Sequence, residues 1–247
     1  MNNLLHATYV PSRMMRNKFL AILKRDLRYD LKWWLLFVGS DVCLVVLLAL
    51  AQHQTHLVAN WPHDCMLASM LVAAFTVRYS LGLGFQLGVS RETMTRALWA
   101  MLPISAIVCS TVMVAFQALI TYGLGIKTIF VNVDFPWFMT AGGWGTSWWY
   151  LIALMMFSGA IGEWVGVIGA GYLPKRPGVA MLLVIFVASI LIGGWWSMFI
   201  GMFNAGVPEL KAFITTHAGV WIGAELIGAC LMGLAVKAAY QGVSIQE

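Results

Sequence analysis

FQLGVSRETMTRALW, residues 85–99, is a charged interruption between two apolar runs. The runs, 65–84 and 98–123, each reach the length of about 20 residues that a helix needs to cross a bilayer. Arg91, Glu92 and Arg96 would be costly in lipid, so the stretch belongs outside it. Ser90 is a good N-cap, and Glu92 in the first turn suits the positive end of the helix dipole. The stretch therefore predicts a short helix, begun at Ser90, between two membrane spans.

Composition outside the stretch points the same way. Hydrophobic residues make up 61% of the 247 and charged residues 10%, with a mean hydropathy of +0.82. A soluble domain carries about 25% charged residues, so this chain lacks the charge to cover a water-facing surface. The twelve Trp are many. Trp33, Trp34, Trp61, Trp148 and Trp149 fall near ends of apolar runs, where an indole keeps an apolar body and a wet N–H. Cys43, Cys65, Cys109 and Cys230 show no CxxC spacing and read as small hydrophobes. A pI near 9.1 with net charge +5 fits cytoplasmic Lys and Arg of a membrane protein; no basic patch interleaved with aromatics marks nucleic acid.

Six spans are predicted: 33–52, 65–84, 98–123, 147–172, 178–203 and 219–240. The fold class is thus all-α, a polytopic membrane protein. An N-terminal segment (1–32) precedes the transmembrane domain (33–240), and a tail (241–247) follows it. Twelve of the fifteen Lys and Arg fall on the side holding both termini and the second and fourth connections. Only Lys127 and Lys211 fall opposite, and Arg78 lies within a span, so both termini are expected inside. The first apolar run begins only at Trp33, after 32 residues, far more than the short charged segment that opens a signal peptide, so no cleavable signal peptide is expected.

Within the first segment, Met15, Phe19, Ile22, Leu23, Leu27 and Leu31 gather on one helical face. Lys18, Lys24, Arg25, Arg28 and Lys32 gather on the other. This predicts an amphipathic elbow helix lying in the inner headgroup layer. Asp26 and Asp30 intrude on the apolar arc without a local reason. On the outer side, 204–219 is too polar to span and reads as a short helix or re-entrant hairpin, with Pro208 suited to a first helical turn. The third connection, with β-branched residues, aromatics and Gly, reads as interfacial.

Four ionisable residues sit inside the apolar runs: Asp41, Arg78, Glu163 and Glu225. Each costs a few kcal/mol at the bilayer centre unless it faces protein or water. Depth counting pairs Asp41 with Arg78, with Glu163 competing for the same arginine. The pair is read first as a structural tie between helices and second as part of a substrate or proton path. Glu225 lies near the outer end of the last span. Gly159, Gly162 and Gly166 in the fourth span, followed by Gly169, mark a close helix-packing seam, and Gly219, Gly223, Gly228 and Gly233 suggest another in the last.

Some chemistry is missing. No GxxxxGK[ST] loop, GxSxG or HExxH occurs, so the chain is not read as an enzyme and carries no ATP site of that kind. His53, His56, His63, Asp64 and Cys65 are loosely clustered around the first outer loop. They read as solvated polar residues, and no metal site is assigned.

Phe85, Leu87, Gly88, Ser90, Arg91 and Thr93 carry a family resemblance. The run LGLGFQLGVSRETMTRALW resembles the segment between the second and third spans of ABC-type exporter permeases of the Gram-positive bacterial kind. The motif covers about a dozen residues; six spans, internal termini, the elbow and a short helix before the last span extend it over the chain. The resemblance implies that these residues, with Glu92 and Arg96, form a cytoplasmic coupling helix docking in a separate ATPase subunit, which would hold ATP and Mg. It further implies a second permease, identical or homologous, in a bacterial plasma membrane. The substrates it implies are exported peptides, antibiotics or lipid-like molecules, often for self-protection. Two other readings stand beside it: the substrate-binding membrane subunit of a vitamin importer, and an intramembrane enzyme using Glu163.

Overall fold

A computed structural model describes residues 12–51, 56–59, 61–86, 88–123, 125, 127–130, 138–140, 142–172 and 216–242. Five long helices account for most of them: α1 (Ser12–Ala51), α2 (Trp61–Gln86), α3 (Arg91–Ala118), α4 (Trp144–Tyr172) and α5 (Ala218–Gly242). A π-helical turn, Leu119–Gly123, extends α3. Two four-residue strands, β1 (His56–Ala59) and β2 (Lys127–Phe130), pair in parallel with His56 opposite Lys127. They tie the connection between α1 and α2 to the one between α3 and α4, a small departure from an all-helical chain.

Among the described residues, four segments are long and apolar enough to cross a membrane: Asp64–Leu81, Arg91–Gly123, Trp144–Ala170 and Ala218–Tyr240. This is the helix content of a multi-pass membrane protein. The first predicted span falls on α1, and the fifth, 178–203, lies outside the described residues.

Helix directions follow from the contacts. Gly159 faces Ser69 and Gly166 faces Ala74, so α2 and α4 run in the same sense. Gly228 faces Phe157, and Glu225 lies within electrostatic reach of Tyr150, so α5 runs with them. Arg25 bonds Ser80 and Asp30 bonds Thr76, so α1 opposes α2. Trp148 bonds Thr111 while Gly159 faces Leu102, so α3 opposes α4. Tyr172 and Ala218, at the facing ends of α4 and α5, therefore lie at opposite ends of the bundle.

α4 is the central helix, with 72% of its apolar window buried, against 28% for α5, which turns Ile227, Leu231 and Leu234 outward. In lipid such a face is stable without a protein partner. One apolar cluster holds the end of the bundle near Trp34, Cys65, Cys109, Tyr150 and Trp221. A second holds the other end, where Ile22, Leu81, Met94, Leu98, Val167 and Val236 meet.

Two sequence expectations are corrected here. α1 is a single helix of 40 residues, about 60 Å long, that passes position 32 without a break. Its segment from Ile22 to Trp34 packs within the bundle, so it is not an elbow lying apart on the surface. The reason is its buried i, i+4 row, Ile22, Asp26, Asp30 and Trp34, which turns toward α2 and α3. Likewise, no separate short helix stands between α2 and α3. The helix begun at Ser90 continues to Gly123, passing through Pro103. A proline inside a helix of this kind is tolerated because neighbouring helices cover the freed carbonyl.

Candidate functional site

The junction of α2 and α3 is built by two local rules. Gly88 takes a left-handed conformation, φ +63°, and the Val89 N–H donates to the Gly84 carbonyl at 2.9 Å. A left-handed residue after the last turn with this six-to-one bond is a Schellman ending, and glycine suits it because it lacks a Cβ. Two residues later Ser90, extended at φ −66° and ψ 146°, accepts from the Thr93 N–H at 3.3 Å and caps α3. The side chains of Phe85 and Leu87 lie outside the described set.

Around this junction the charges face outward. Arg91, Glu92 and Arg96 are exposed, and Arg96 pairs with Glu92 one turn earlier. Thr95 returns its hydroxyl to the Arg91 carbonyl at 2.9 Å, leaving the charged groups as the presented surface. Beneath them Met94 and Leu98 are fully buried, and Met94 fills the space beside Gly84. The result is a rigid, polar-capped corner seated on an apolar base.

One level deeper in the bundle lies a group of acids. Asp26, Asp30 and Glu163 are buried to 1%, 3% and 1% exposure. Arg25 grips Asp26 through Nε at 2.8 Å and Nη2 at 2.7 Å, and also donates to Ser80 at 3.2 Å. The same guanidinium stands 5.6 Å from the centre of the Tyr79 ring, which stacks on Tyr29 at 5.0 Å. Asp30 accepts from the Thr76 hydroxyl at 3.2 Å, with Ser105 of α3 beside it. Glu163 lies within electrostatic reach of Asp30, yet its Oε1 has no hydrogen-bond partner. Tyr240, from the last turns of α5, lies within reach of both Glu163 and Asp26, and its hydroxyl is also unpartnered. Residues from all five long helices thus converge on one buried polar region.

Sequence reasoning placed Glu163 among the interior charges but missed Asp30 and Tyr240 as its neighbours. The signal was the interruption of the apolar arc by Asp26 and Asp30: two acids four residues apart share a helix face. Arg78 is half-buried on α2, and the Asp41 side chain lies outside the described set. Glu225 is buried at the opposite end, near Tyr150.

Of the glycines, Gly162 faces the Met70 carbonyl, Gly166 the Ala74 carbonyl and Gly159 the Ser69 hydroxyl, so α2 and α4 touch backbone to backbone. Ser69 reinforces the contact by donating to the Met155 carbonyl at 2.8 Å. Gly219 and Gly223 have nothing within 4 Å of where a side chain would begin; Gly228 and Gly233 receive Phe157 and Trp99 instead. The His53, His56 and His63 side chains lie outside the described set, and among the described residues no three acids, cysteines or histidines converge to hold a metal ion.

No protein-family model matches the chain, and no curated protein or solved structure is similar to it.

Proposed function

We propose that this chain is the permease subunit of an ATP-driven exporter in a bacterial plasma membrane, with six spans and both termini inside. The observation that carries the reading is the α2–α3 junction. A Schellman ending, a capped helix start and three outward charges lie within nine residues, Gly88–Arg96. A plain connection between two spans needs none of the last; a surface that a soluble protein grips uses all three.

In this reading a separate nucleotide-binding subunit, holding ATP and Mg, docks on Ser90, Arg91, Glu92, Thr93 and Arg96. Closure of that subunit on ATP pushes the first turns of α3. The push passes to α4 and α5 through Leu102 against Gly159 and Trp99 against Gly233. The permease makes and breaks no covalent bond. A second permease, identical or homologous, completes the pathway for a peptide, antibiotic or lipid-like substrate.

Purification of the tagged chain from native membranes tests the reading. Recovery of a nucleotide-binding subunit, weakened by Arg91→Glu, is the expected result. Failure of any ATPase to co-purify, with transport unchanged by Arg91→Glu, overturns it.

A further inference from the structure

The acids within the bundle are not balanced by the cations around them. Asp26 has Arg25. Asp30 has two hydroxyl neighbours, Thr76 and Ser105, and Glu163 has no hydrogen-bond partner on Oε1. Neither acid is ion-paired among the described residues. Burying a carboxylate costs several kcal/mol unless a countercharge and hydrogen bonds compensate. The Tyr240 hydroxyl, 1% exposed as a residue and unpartnered, is a second open position in the same place.

We propose that Asp30, Glu163 and Tyr240 form a binding site for an organic cation, an ammonium or guanidinium group on a transported molecule. The transport part of this statement rests on the permease reading; the binding part does not. Asp30 and Glu163 come from different helices, and among the described residues no three acids, cysteines or histidines form a group that could hold one metal ion. A guanidinium or ammonium group carries several N–H donors on one positive centre and can serve acceptors on separate helices at once. Asp30 lies on α1, Glu163 on α4 and Tyr240 on α5, so a bound cation ties together three helices. Arg25 is held by Asp26 and Ser80 and so is already engaged beside the site.

The test uses the purified full-length protein with n-butylguanidinium and its neutral isostere n-butylurea, compared by calorimetric titration. The guanidinium is expected to bind at least about tenfold more tightly, as charge-assisted bonds are roughly twice as strong as neutral ones. Glu163→Gln and Asp30→Asn each weaken it about tenfold, and Tyr240→Phe weakens it about threefold. Cys230→Ala, at an exposed position on α5, leaves it unchanged. Equal affinity for the two probes overturns the site, as does wild-type affinity in the Glu163 and Asp30 variants. Only variants that elute as single species are compared; should they fail to fold, the two probes on the unaltered protein decide. Co-purification of an ATPase is scored in the same preparations. Charge-selective binding without an ATPase removes the exporter and keeps the site. An ATPase without charge-selective binding removes the site and keeps the exporter.

Discussion

Gly162 lies directly against the carbonyl oxygen of Met70, with no room for a β-carbon between α4 and α2. The obstacle is backbone, which cannot swing aside as a side chain can. Gly162→Ala is therefore expected to force the helices apart and destabilise the protein by about 1–3 kcal/mol, the usual range for overpacking. Gly223→Ala, at a position with nothing nearby, is expected to be neutral. Thermal unfolding of both variants in detergent checks this: a Gly162 variant as stable as the parent refutes the close seam.

At the junction, Ser90→Ala removes the cap of α3 and is expected to cost about 1 kcal/mol. Ser90→Asp, which keeps an acceptor for the Thr93 N–H, retains most of it. Gly88→Ala, at φ +63°, costs a further 1–2 kcal/mol or so from the left-handed strain. Unfolding temperatures of the three variants should rank accordingly.

Thr76→Val takes away the hydroxyl that Asp30 accepts from, at nearly constant volume. A hydrogen bond to a charged acceptor contributes about 1.5–3 kcal/mol, so the loss should approach that range. Combined with Asp30→Ala, which leaves no acceptor at this position, the second substitution should add much less than it does alone, the mark of two residues sharing one interaction. Strict additivity in the double-mutant cycle would disprove the contact.

The Glu92–Arg96 pair is exposed, with side chains open to 73% and 72%. Arg96→Ala is thus expected to alter stability by less than about 0.5 kcal/mol. Any defect in ATPase association would then report docking and not folding. A cysteine at Thr93 should react with a membrane-impermeant maleimide in inverted vesicles and stay unlabelled in intact cells.

Local chemistry made the junction readable in the sequence. A cap needs only Ser90 and the three residues after it, and Gly88 sits where a left-handed turn is needed. Apolar length likewise exposed α2 to α5. The length of α3 was harder, because charge at Arg91–Arg96 and Pro103 look like breaks, yet the helix passes both. Asp26 and Asp30 were visible as an anomaly, but their meaning depends on Thr76, about fifty positions away on another helix. The pairing of β1 with β2 was hidden for the same reason: His56 and Lys127 are joined by tertiary contacts alone. Tyr240 gave no signal, since a tyrosine near the end of a span is ordinarily an interfacial anchor.

Pro103 leaves the Trp99 carbonyl without its helical N–H, so α3 is softest at that level, about three turns above Ser90. The side chain of Trp99 is also the one that fills the notch at Gly233. A torque applied at the corner thus has a built-in fulcrum, and the first thing it levers is the indole against α5. The carbonyl that Pro103 frees in α3 and a close contact between α3 and α5 belong to one residue.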